Sequence, residues 1–109
     1  MNKYGAKKTV RDGITFDSKH EAERYEELKL LQRFGEIRDL QLQVPFELIP
    51  SQIENGKCVE RAVKYIADFV YFDKNGNLVV EDAKGMKTEL YRLKKKLMRY
   101  FKGIEIMEV

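Results

Sequence analysis

Residues 65–84 read YIADFVYFDKNGNLVVEDAK. Two runs rich in Val, Ile, Tyr and Phe flank Asp73-Lys74-Asn75-Gly76-Asn77, and Asn-Gly between such runs is a strong hairpin signal. The stretch predicts two antiparallel strands, the second over Leu78 to Ala83. Inside them stand charges that a strand core does not need: Asp68, and Asp82 and Lys84 after Leu78-Val79-Val80. Side chains alternate faces along a strand, so Asp82 and Lys84 share one side and Glu81 takes the other. Glu81 and Asp73 are read as surface and turn residues. Pairing of the two strands brings Asp68 towards Asp82, and two carboxylates close together repel unless a cation sits between them. Mg²⁺ fits such a place: it prefers oxygen, keeps several waters, and would take one or two carboxylates, a backbone carbonyl such as that of Ala83, and a substrate phosphate.

Upstream, Ala22, Tyr25, Leu28, Leu30, Leu31 and Phe34 recur at three- and four-residue steps between charged neighbours, the period of an amphipathic helix. Ser18 with Glu21 three residues later has the form of a capping box, and Gly35 stops the run, so helix one is expected over residues 18–34. Ile37 to Leu48 mostly alternates apolar and polar residues, predicting a strand over residues 38–49 that Pro50 ends and in which Pro45 marks an edge or a bulge. Ser51 to Lys57 reads as a polar loop before a strand from Val59 to Phe72. Downstream, Gly85 ends the third strand and Thr88 caps a second helix whose apolar stripe is Leu90, Leu93, Leu97, Met98 and Phe101. Gly103 closes it, and Ile104, Ile106 and Val109 suggest a short last strand. Residues 1–15 form a basic N-terminal arm, with room for a short strand near Thr9 to Phe16, and residues 16–109 a single domain. The order α-β-β-β-α-β implies an α/β or α+β fold, a mixed central sheet flanked by helices.

With 109 residues, 43% hydrophobic and 36% charged, the chain has the size of one globular domain. Cys58 stands alone, which excludes an intramolecular disulfide and a multi-cysteine zinc cluster and fits a reducing compartment. No run of about 18 apolar residues exists to span a bilayer, and the basic N-terminus lacks the apolar stretch of a signal peptide, so a cytoplasmic location away from membranes is expected. His20 is the only histidine, too few for a histidine metal site or a catalytic triad. Asp73-Lys74-Asn75 starts like a calcium-binding loop but has Leu78 and Lys84 where that loop needs Gly and Glu. The net charge of +3 hides an uneven distribution: +4 over residues 1–11, −6 over 12–83 and +7 over 84–102. Basic blocks flanking an acidic middle suit a polyanion gripped by Lys and Arg while acids hold a metal. A solvated helix that only keeps the protein soluble is the plainer reading of the second block.

Asp68, the hairpin, and Asp82-Ala83-Lys84 together resemble the active-site motif of the PD-(D/E)XK nuclease superfamily. That superfamily's core runs α-β-β-β-α-β, with the first acid on its second strand and the D/E-x-K tripeptide on its third. Ala67 stands where the Pro of the family name would be. More closely, Phe16-Asp17-Ser18-Lys19 with Glu21, Val80-Glu81-Asp82-Ala83-Lys84-Gly85 and the Lys-rich helix after them resemble a family of small phage- and prophage-borne proteins assigned to that superfamily. The resemblance implies a restriction-endonuclease-like core and a DNA endonuclease dependent on Mg²⁺ or Mn²⁺, with 5′-phosphate ends as products. It gives Asp68, Asp82, Glu21 and the Ala83 carbonyl to the metal, and to Lys84 the orientation of water and the offsetting of charge in the transition state. Lys87, Arg92, Lys94, Lys95 and Arg99 on the second helix, with Gln41 and Gln43 on the first strand, become candidates for DNA contacts. The small resolvases of the superfamily further imply branched or Holliday-junction DNA and a homodimer.

Other readings stay open at this stage. Glu21 can serve only the capping box, Asp68 and Lys84 can form a structural ion pair, and the tyrosines can be core. A catalytically silent nucleic-acid-binding module on the same fold is one alternative, and a phage protein-interaction factor that presents the acidic middle is another.

Overall fold

The computed structural model describes residues 7–83 and 86–109; Lys84, Gly85 and the first six residues of the expected arm lie outside the described residues. In chain order the elements are β1 (Thr9–Arg11), β2 (Ile14–Phe16), α1 (Lys19–Arg33), β3 (Ile37–Ile49), β4 (Gln52–Glu54), β5 (Lys57–Glu60), β6 (Val63–Asp73), β7 (Leu78–Asp82), α2 (Glu89–Leu97), a π-helical turn (Met98–Lys102) and β8 (Met107–Glu108).

The 65–83 hairpin forms as its sequence requires. Phe69 pairs with Glu81, Val70 with Val80 and Phe72 with Leu78. The Asp73 carboxylate accepts the N–H groups of Asn75 and Asn77, each at 2.9 Å, and Gly76 takes the left-handed conformation (φ +82°) that closes the turn. The main sheet runs β3-β6-β7-β8, antiparallel except for the β7–β8 pair, so it is mixed. β3 lies at its edge, where Pro45 costs no ladder bond on its open side.

Helix α1 starts where Ser18 leaves extended backbone and its Oγ accepts the Glu21 N–H at 3.1 Å. Its Ala22, Tyr25 and Leu28 pack against Phe69, Tyr71 and Ala83. On the other face Tyr91 of α2 and Met98 pack against Tyr65, Ala67, Val70 and Val80. Phe69 and Val70 are neighbours in one strand yet belong to different cores, as the alternation of a strand covered on both faces demands. The chain is thus a mixed α+β domain with one helix on each side of a mixed sheet, and among the described residues no helix is long and apolar enough to cross a membrane.

The short strand expected near Thr9 to Phe16 is the two-stranded β1–β2 hairpin, tied to α1 by the Arg11–Glu26 ion pair and by the Tyr25 hydroxyl, which donates to Asp12 at 2.9 Å. Two expectations need correction. Residues 51–60 are not a loop running into a long strand; Asn55-Gly56, both left-handed (φ +50° and +77°), turn the β4–β5 hairpin, whose strands are exposed throughout. Of the stripe expected to bury α2, Met98 is buried and Leu97 packs against the same core, but Leu90 is 60%, Leu93 51% and Phe101 53% exposed, and Tyr91 completes the packing instead. Periodicity identifies a face, but not which of two apolar faces meets the sheet.

Candidate active site

The β6–β7 ladder stops at Phe69–Glu81, and the next residues outward on the two strands are Asp68 and Asp82. There the Asp68 carboxylate takes over the pairing: its Oδ2 accepts the Ala83 N–H at 2.8 Å. Its Oδ1 accepts from the Gln43 amide at 3.2 Å, and the same Nε2 donates to Glu21 Oε2 at 3.2 Å. One amide on the edge strand therefore bridges two carboxylates, one from the first turn of α1 and one from the centre of the sheet. Gln43 reaches both from left-handed backbone (φ +52°), a conformation uncommon for a residue other than glycine and one that clusters at functional sites.

Glu21 is only 5% exposed. Loss of water on burial and then the nearby charge of Asp68 push its carboxyl up to about 7, against the pull of a backbone hydrogen bond at Asp17. Glu21 therefore both closes the first turn through its N–H and offers a buried side chain to the site; the two roles read from the sequence coexist.

Asp82 is fully buried on the α2 side. Its Oδ2 accepts the Tyr65 hydroxyl at 2.5 Å, and its backbone carbonyl accepts the Val109 N–H at 3.0 Å. Burial and then the Asp82 hydrogen bond raise the Tyr65 phenol, so Tyr65 remains a donor. Glu81 projects to the opposite side, as the alternation predicts, but it is not a surface residue: it is fully buried. Arg24 grips it with Nε at 2.8 Å from Oε1 and Nη2 at 2.6 Å from Oε2, and the Tyr71 hydroxyl donates to the same carboxylate. Nothing local in the sequence signals the cation and the hydroxyl that satisfy it there. Arg24 stands three residues after Glu21, so this fork ties the turn carrying Glu21 to the strand carrying Asp82.

The structure thus brings Glu21, Gln43 and Asp68 together and places Ala83 against them. Among the described residues no three of His, Cys, Asp and Glu converge as a metal-holding group, and Asp82 is engaged by Tyr65 on the α2 side. The Glu21–Asp68 pair does fit a hard divalent cation, which commonly takes one or two carboxylates and otherwise water, and which would relieve the repulsion that raises Glu21. Lys84 lies outside the described residues.

The expected DNA contacts divide. Gln43 is exposed on β3 and its amide bridges the two acids. Lys87 and Lys95 are held by Glu108, at 3.2 and 3.1 Å, and the Tyr91 hydroxyl donates to that carboxylate at 2.8 Å. The Tyr91 bond and then the two lysines lower Glu108 to about 2. Lys94 lines a cleft with Lys64, Tyr65 and Thr88, and Arg92 and Arg99 are exposed. Gln41 is exposed on β3, His20 is exposed with Nε2 2.9 Å from the Val109 carbonyl, and Cys58 is exposed. The residues that sequence reasoning missed are Arg24 and Tyr65, whose partners lie 57 and 17 positions away and carry no local signal.

The chain matches no curated protein and no solved structure. A family model described as Protein of unknown function (DUF1064) matches residues 1–107, and the chain belongs to that family.

Proposed function

We propose that the chain is a metal-dependent DNA endonuclease with a restriction-endonuclease-like core, acting on branched or otherwise structured DNA in phage or prophage recombination or replication. The observation that carries this reading is the bridged Glu21–Asp68 pair at the end of the β6–β7 ladder, because two partly desolvated acids held face to face are costly unless they serve a cation. The order α1, β3, β6, β7, α2, β8 supports it by following α-β-β-β-α-β.

Glu21 and Asp68, with Ala83 held against Asp68, are the residues that would hold Mg²⁺ or Mn²⁺, whereas Asp82, given to the metal by the resemblance, is engaged by Tyr65 on the α2 side. Such a metal, when bound, supplies an activated water and offsets charge on the scissile phosphate. Gln43 orients both carboxylates, Tyr65 fixes Asp82, and the Arg24–Glu81 fork holds α1 in register with β7. Lys84 is assigned on sequence alone to steady the attacking water and the charge that develops on phosphate.

A second reading, a metal-free nucleic-acid-binding or protein-binding module, is favoured by one observation: Asp82 is satisfied by Tyr65 rather than gathered with the other two acids. Cleavage separates the two. Single-stranded, duplex, flap and four-way-junction DNA are incubated with Mg²⁺, Mn²⁺ or EDTA, using the wild type and Asp68→Asn. Metal-dependent cutting that the substitution removes is the expected result. Binding without cutting in either metal overturns the nuclease and leaves the module.

A further inference from the structure

On the outer side of α2, Arg92, Lys96 and Tyr100 follow at four-residue steps, with Arg99 three beyond Lys96, so they share one flank of the helix. All four are exposed, Tyr100 to 82%. Among the described residues Arg92, Lys96 and Arg99 make no ion pair, whereas Lys87 and Lys95 share the Glu108 carboxylate. The α-helix becomes a π-helical turn at Met98, and that turn carries Tyr100 and Phe101 outward, packed edge to face with ring centroids 4.9 Å apart at 84°. π-turns are rare and frequent at functional sites. A large exposed aromatic pair set among unpaired cations is the combination that holds unpaired nucleotides: the cations follow the phosphates, and a ring offers its face to a base.

We infer that this flank of α2 and the π-helical turn form a stacking platform for single-stranded nucleic acid, with Tyr100 as the stacking residue. The consequence for substrate class, DNA that presents an unpaired segment such as a flap or an opened junction, rests on the nuclease reading; the binding surface does not. Charge complementarity selects this occupant. A second copy of the chain docked on the same face would set Arg92, Lys96 and Arg99 of both copies against each other without a counter-charge, which like-charge repulsion opposes.

The test is fluorescence anisotropy in EDTA, which excludes cutting, with a labelled thymidine oligonucleotide, a duplex of equal length and anionic lipid vesicles as probes. The oligonucleotide binds more tightly than the duplex, and Tyr100→Ala weakens the oligonucleotide about tenfold, the stacking of roughly one base, while Tyr100→Phe retains it. Lys96→Gln weakens oligonucleotide and duplex alike and reduces the slope of log affinity against log salt by about 1. Tyr100 is exposed, so circular dichroism of these variants matches the wild type. Equal affinity for oligonucleotide and duplex, an unchanged Tyr100→Ala, or binding to vesicles alone overturns the platform. Metal-dependent cutting of duplex beside an unchanged Tyr100→Ala removes the platform and leaves the nuclease. Oligonucleotide binding lost in Tyr100→Ala, with no cutting in any metal, does the reverse.

Discussion

Replacing Glu21 by glutamine makes permanent the uncharged form that burial and Asp68 favour, and so isolates the strain at the site. The carboxyl titrates near 4.5 in an unfolded chain and is pushed up to about 7 in the fold. The folded state therefore holds the proton more tightly. The stability this contributes is complete below about pH 4.5 and is lost as pH rises through about 7. At 1.36 kcal/mol per unit, the loss is of order 3 kcal/mol, and about 2 kcal/mol after allowing for the half-exposed Asp68 and the polar Gln43 bridge. In metal-free buffer Glu21→Gln thus matches the wild type near pH 4.5 and exceeds it near pH 8, where the difference in Tm approaches about 10 °C for a domain of this size. Thermal melts followed by circular dichroism across this range measure it, and titrating groups remote from the Glu21–Asp68 pair cancel in the difference. A difference that does not change with pH, or a Glu21→Gln variant less stable than the wild type near pH 8, refutes the reasoning.

Two further outcomes follow from the geometry. Arg24→Met leaves the buried Glu81 carboxylate without its cation and costs about 3 kcal/mol or more in urea unfolding, whereas Arg24→Met combined with Glu81→Gln, which still accepts from Tyr71, recovers most of the loss; equal losses in both variants would sink this account of the fork. Glu108 is lowered to about 2 by Tyr91, Lys95 and Lys87, so its contribution is present above about pH 4.5 and fades as pH falls towards 2. Glu108→Gln is accordingly less stable than the wild type at neutral pH and converges with it in acid, and parallel acid-unfolding curves would contradict the assignment.

Local chemistry was legible where a residue type dictates backbone. Asn75-Gly76 and Ser18 each specify their turn or cap without help from the rest of the chain, and both form as read. Asn55-Gly56 carries the same hairpin signal, but its flanks, Gln52 to Glu54 and Lys57 to Glu60, lack a core-facing alternation, so the polar composition masked it. Outward placement of Leu90 and Leu93 was not readable, because helical period defines a stripe and only tertiary packing decides what covers it. At the site, Glu21 and Asp68 were identifiable as acids out of place, while their bridge was not: nothing in the residue type of Gln43 announces a left-handed backbone in a strand. Arg24 and Glu81 meet between α1 and the sheet face it covers, a pairing that depends on how α1 is set down on β7.

The central claim is that the Glu21–Asp68 pair is a metal site and not merely a strained, self-satisfied pair. Calorimetric titration of Mn²⁺ into the wild type and Asp68→Asn, with Glu54→Gln on the exposed β4–β5 hairpin as a control away from the site, tests it directly. The account predicts saturable binding in the wild type and the control and its loss in Asp68→Asn. Binding that survives Asp68→Asn, or no binding to the wild type, would contradict it.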